Sequence, residues 1–218
     1  MTMIPNYETA AIKALETLIE HKISTMPIDP LPIIKNTPGV LVMPFADLAS
    51  NASIERNQLV PLFGQNQDAV TFYIGLEKVK YIVAYNQYLP TDIRRGLARE
   101  LGHIMLGHDG TRPLDVRMEE AMCFARHLIF PRPMIKAIQE SGIPFTVEVV
   151  GSGTGCYERC LEGLRKTPGV HTPAELNRTV RKQFSTWLDN FIGLHSVITE
   201  GDPTPRADFG HYMDGYEE

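Results

Sequence analysis

Residues Leu97 to Gly110 read LARELGHIMLGHDG. A histidine at position 99 would make this His-Glu-x-x-His on a helix, in which two imidazoles one turn apart hold zinc and the glutamate activates a metal-bound water. Position 99 is arginine. A guanidinium has no lone pair to offer and stays protonated to about pH 12 or beyond, so it cannot serve as a ligand. Glu100 and His103 keep the residue types of the general base and the second ligand. The stretch reads either as a zinc site with one ligand exchanged for a fixed cation, or as a solvated helix face with a chance cluster of Arg, Glu and His.

The elements around this stretch are expected to place it at a core boundary. A helix opening at Thr91, with Asp92 in its first turn, should end near Gly107. Ile93, Leu97, Leu101, Ile104 and Met105 form its apolar stripe, and Gly96, Arg99, Glu100 and His103 share the adjacent sector. A second helix is predicted from Val116 to Phe130, stopping at Pro131. On it Glu120 lies at the edge of the apolar stripe between Phe124 and His127, whereas Glu119 points toward Arg126 and Cys123. Glu120 is the better carboxylate to face a neighbouring helix. Strands should come earlier: GVLVMPF from Gly39, and a hairpin over Asp68 to Asn86 turning at GLEK.

Toward the termini, the apolar spacing predicts a helix over Tyr7 to His21 capped by Asn6. TMPIDPLPII, with three prolines, reads as irregular. After TVEVVGSGTG, one helix is expected over Cys156 to Arg165. Another begins at TPAE, with Thr172 and Glu175 as a capping box and Pro173 at the first helical position. Its apolar face runs on through Leu176, Val180, Phe184, Trp187, Leu188 and Phe191.

The 218 residues, 43% hydrophobic and 22% charged, suit a globular chain of one large or two small domains. No apolar run is long enough to span a bilayer, and MTMIPNYETA lacks the basic start and apolar core of a secretory signal, so a cytoplasmic location is expected. Cys123, Cys156 and Cys160 cannot all pair and are read as reduced thiols. A net charge of -5 argues against wholesale nucleic-acid binding, although Arg178, Arg181 and Lys182 make a local basic cluster. The segment from Glu200 onward is acidic and rich in Pro and Gly, the composition of an adaptable surface segment.

Three stretches in order carry a resemblance: YIVAYNQYLPTDIRRGLARELGHIMLGH, EEAMCFARHLIFP and CYERCLEGLRKTPGVHTPAELN. Together they resemble the ImmA/IrrE family of zinc metallopeptidases, whose members show a strand, a helix carrying AHELGH and a helix of the form EANxFAxxLLxP. The resemblance implies an α+β, zincin-like fold with a small antiparallel sheet beside the active-site helix. It divides the chain into a metallopeptidase domain over 1–140, a helical C-terminal region over 141–199 and the acidic tail, 200–218. It also implies a regulatory role, in which family members cleave or inactivate repressor-like proteins of phages and mobile elements. By position, Glu100 matches the catalytic base, His103 the second metal ligand and Glu120 the third, with Arg99 where the first ligand belongs.

His103 and Glu120 alone make a poor zinc site, and a cation beside the vacancy repels a dication, so zinc should bind weakly or not at all. Two histidines could substitute. His108 would sit about 7.5 Å beyond His103 if the helix continued, so only a folded-back turn brings it in. His127 shares a face with Glu120, about 10 Å away along the helix. Alternatively Arg99 replaces the metal electrostatically, pairing with Glu120, Glu100 or Glu119. Three functions follow: a metallopeptidase relative that binds a regulatory protein, an active peptidase with a substitute ligand, and a DNA-binding regulator using the helices after Gly151.

Overall fold

The computed structural model describes residues 3–52, 68–87, 93–143, 145–155 and 169–199. The expected cap at Thr91, the expected helix over Cys156 to Arg165 and the tail beyond residue 199 lie outside these. The fold is mixed α+β. Its contacts divide it into two compact units that interleave in sequence, one built on Asp29–Met122 and the other on Asn6–Ile28 with the chain from Cys123 onward. The N-terminal helix falls in the second unit because it packs on a helix late in the chain.

The first unit holds α2 (Pro30–Asn36), β1 (Val40–Pro44), α3 (Phe45–Ala52), β2 (Ala69–Tyr73), β3 (Tyr81–Tyr85) and α4 (Arg94–Met105). Helix α2 occupies the stretch read as irregular. Asp29 caps it by accepting from the Leu31 amide at 3.0 Å, and Pro30 stands in the first turn, where a missing N–H costs nothing. The three strands are ordered β1-β3-β2. The hairpin pairs β2 antiparallel to β3, Ala69 opposite Tyr85 and Tyr73 opposite Tyr81. Strand β1, however, pairs parallel to β3, so the sheet is mixed rather than antiparallel. The long connection through α3 and β2 supplies the crossover that parallel neighbours require.

Central β3 buries Tyr81, Val83 and Ala84, as expected of a strand flanked on both edges. Phe45 and Ala49 of α3 pack on Ala84, with Leu48, Val70 and Phe72 around them. Helix α4 lies along β2 and also touches α2 and β3, burying Leu97, Leu101 and Ile104. This packing brings the polar sector of α4 beside an edge strand. Helix α5 (Leu114–Ile129) begins in the first unit and ends in the second.

In the second unit, α1 (Tyr7–Glu20) is capped as expected, with Asn6 Oδ1 accepting from the Thr9 amide at 3.0 Å. It buries Ala10, Ala11, Ala14, Leu15 and Leu18. Helices α6 (Arg132–Glu140) and α7 (Val147–Thr154) follow, then α8 (Ala174–Gln183) and α9 (Ser185–Thr199). The single long helix expected after TPAE is broken at Phe184, whose side chain is fully buried. The capping box is absent as well. Pro173 takes the half-helical position, so Thr172 falls one residue too early; its hydroxyl donates to Asn177 Oδ1 at 2.9 Å, and Glu175 pairs with Arg178. Gln183 ties the helices together, donating to the carbonyls of Leu18 at 2.8 Å and Ile23 at 2.5 Å. Among the described residues no helix is long and apolar enough to cross a membrane.

Phe184 is thus the pivot of the second unit. Phe184→Ala should lower unfolding free energy by about 3–5 kcal/mol through lost burial and a residual cavity; urea denaturation measures it, and a loss under about 1 kcal/mol would mean the side chain is not packed as described.

Candidate functional site

The polar sector of α4 is buried: Glu100 is 4% exposed and His103 9%. Arg99 does not reach Glu120. Its Nε donates to Glu100 Oε1 at 2.7 Å, and its Nη2 donates to Asp68 Oδ1 at 3.2 Å and to the Ala69 carbonyl at 2.9 Å. The guanidinium therefore bridges the helix to the start of β2, a partner thirty-one positions away in sequence. Burial works against its charge, but Glu100 and Asp68 outweigh that and hold its pKa above the ordinary arginine range. Burial pushes the Glu100 carboxyl up, with the Arg99 cation opposing. Gly96 makes the approach of Asp68 feasible, since a Cβ there would stand 2.3 Å from the Asp68 Cγ.

The other half of the site depends on how α4 ends. Gly107 adopts φ +66°, a left-handed conformation that glycine adopts without a Cβ penalty. The Gly107 amide then donates to the Ile104 carbonyl at 3.0 Å and the His108 amide to the His103 carbonyl at 2.9 Å. These are the two bonds of a Schellman turn, which sets the side chain after the glycine against the one five residues earlier. That position usually makes an apolar contact; here it brings two imidazoles together. His103 Nδ1 and His108 Nδ1 are 2.9 Å apart, and His108 Nε2 lies 3.0 Å from Glu120 Oε2. Glu120 Oε2 also accepts from Arg112 Nη1 at 2.7 Å.

Burial lowers the pKa of both imidazoles. It takes His103 to about 3, helped by His108 and Arg99, and lowers His108 against the pull of Glu120. With both rings neutral, one proton order satisfies both contacts. Glu120 accepts from His108 Nε2–H, and His108 Nδ1 accepts from His103 Nδ1–H. His103 and His108 line a cavity of about 640 Å³. Arg95, Arg117, Tyr73 and Leu114 also line that cavity.

A zinc site needs three or more lone pairs converging about 2.0–2.2 Å from one point. His103, His108 and Glu120 instead form a line, because the two ring nitrogens of His108 face different partners. Among the described residues no group of three His, Cys, Asp or Glu is placed to hold a metal ion. As arranged, these three side chains do not converge on one point. Glu100 Oε1 is engaged by Arg99, and the low pKa of His103 makes its lone pair a weak acceptor.

Of the residues singled out in the sequence, Arg99 and Glu100 form one buried cluster, and His103, His108 and Glu120 the other. Glu120 is 2% exposed, whereas Glu119 is exposed, in accord with its position on the stripe. His127 belongs to the second unit, where its Nδ1 donates to the Cys123 carbonyl one turn earlier at 2.9 Å. Its Nε2 is buried with no hydrogen-bond partner among the described residues. Cys123 is a buried thiol whose Sγ donates to the Tyr7 carbonyl at 3.5 Å, and Cys156 and Cys160 lie outside the described residues. Asp68 and Arg112 were not anticipated. Neither sits in a motif, and only the fold brings them to α4 and α5. Comparison of the chain with protein-family models, with curated proteins and with solved structures finds no match.

The close approach of Gly96 and Asp68 can be tested by a double-mutant cycle. On helix propensity alone Gly96→Ala should stabilise by about 1 kcal/mol. Displacing Asp68 from Arg99 should turn this into a net loss, and in an Asp68→Ala background the same change should become stabilising. Equal effects in both backgrounds would show that the two residues do not meet.

His127 gives a pH signature. Burial holds its pKa down at about 4, against 6.5 when unfolded. Between these values the unfolded chain binds more protons than the folded one, so stability is complete above pH 6.5 and falls as pH drops toward 4, by up to about 3 kcal/mol. His127→Leu should flatten the dependence of urea stability on pH across that window; an unchanged slope would show that the imidazole is not buried uncharged.

Proposed function

We propose that this protein is a regulatory relative of the ImmA/IrrE metallopeptidases, of zincin-like fold and of phage or mobile-element type, in which Arg99 has replaced the first metal ligand. It acts by binding a protein, a transcriptional repressor or similar regulator, rather than by cleaving it. The observation that carries this reading is the use of the Arg99 guanidinium. It occupies the carboxylate that would serve as general base and anchors it to Asp68 and the Ala69 carbonyl. A permanent cation stands in for the charge of a metal and holds helix to strand without one. Such a buried pair need not add stability, because desolvation can cancel the attraction; its value here is to fix one geometry. The cavity beside it, with exposed Leu114 and half-exposed Tyr73 at its edge, offers apolar contact next to charged groups.

The placement of His108 favours a second reading, an active zinc endopeptidase with a substitute ligand. The turn at Gly107 brings that imidazole between His103 and Glu120. Convergence of the three on one ion requires the His108 ring to turn so that one of its nitrogens leaves its present partner.

Metal analysis of protein purified without chelators separates the two. Zinc well below one equivalent is expected, and Arg99→His should raise zinc affinity at least tenfold by restoring the first donor. A full, tightly held equivalent in the parent, with chelator-sensitive cleavage of a repressor, would establish the second reading instead. No gain in Arg99→His would mean that His103 and Glu120 cannot be brought onto one ion.

A further inference from the structure

A second cavity, of about 390 Å³, lies wholly within the second unit between α6 and α8. Its walls are built from two short charge stripes. Arg132 and Lys136 are one turn apart on α6, and Arg178 and Arg181 are three residues apart on α8. Like charges at these spacings repel on a helix, and packing the two helices together brings all four cations around one hollow. Glu140 is the only carboxylate among the residues that line it. Such a concentration of positive charge stands out in a chain whose net charge is -5.

The compensating pairs are weak ones. Arg178 pairs with Glu175 and Arg181 with Glu140, in both cases between side chains at least 44% exposed. Exposed pairs of this kind contribute little and exchange readily for a better acceptor. Lys136 has no ion pair or hydrogen bond among the described residues. Arg132, by contrast, is anchored, its Nη1 donating to the Val170 carbonyl at 2.9 Å, which sets its position at the cavity wall before any ligand arrives. His171 and Asn177 add further polar groups to the lining.

From this arrangement we infer that the cavity is a binding site for a phosphate-bearing small molecule. Guanidinium forks match phosphate oxygens two at a time, and a lysine adds a compact point charge. The volume falls within the range of small-ligand pockets. A DNA duplex is a poorer match, because the four cations converge inside a hollow, whereas duplex readers present a helix that enters a groove. The site is independent of the Arg99 cluster and does not depend on the function proposed for it.

Pyrophosphate is the probe, titrated calorimetrically into the whole protein at constant ionic strength. Saturable binding with one site and a Kd below about 1 mM is expected. Lys136→Glu and Arg178→Glu, both at exposed side chains, should together weaken it at least tenfold while leaving the circular-dichroism melt unchanged. Absence of saturable binding, or equal affinity in the doubly substituted protein, overturns the proposal. So does a short DNA duplex that competes with pyrophosphate and binds more tightly, with a steep salt dependence abolished by the same two substitutions. That outcome would assign the cavity to nucleic acid.

Discussion

A guanidinium that can never lose its charge is held in a largely buried position, and the first unit is arranged around that constraint. Two carboxylates and a backbone carbonyl must be supplied to Arg99, and they come from the next residue of α4 and from the start of β2. Removing both carboxylates would leave the guanidinium uncompensated in a low-dielectric setting, which costs far more than an intact pair contributes. The absence of a side chain at Gly96 follows from this, because it clears the path by which Asp68 reaches the cation. Sheet edge and helix are thereby fixed in register.

The histidine line is a second consequence of geometry at a helix end. One left-handed glycine reverses the chain after α4, and the contact that a Schellman turn usually gives to apolar side chains is made by His103 and His108. Glu120 and Arg112 continue the line.

The two units use charge differently. In the first, cations and carboxylates are buried against one another and neutralise locally. In the second, four cations gather around a hollow with exposed and weakly held counter-ions. Burial decides which behaviour results: a desolvated charge must have its partner within the fold, whereas a solvated one is free to take an external ligand.

Short-range chemistry was written in the sequence. Asn6 caps α1, GLEK closes the hairpin, and the apolar stripes locate α4 and the inward side of Glu120, because caps, turns and helical faces depend on residues within a few positions of each other. The inability of position 99 to donate a lone pair follows from its side chain alone. Tertiary structure decided whom Arg99 pairs with, since Asp68 and Glu120 are equivalent carboxylates until β2 is laid against α4. It likewise decided that His108, rather than His127, joins His103, that β1 runs parallel to β3, and that the helix after TPAE breaks at Phe184. Those outcomes turn on which distant surfaces meet, and contact between residues far apart in the chain has no local signature.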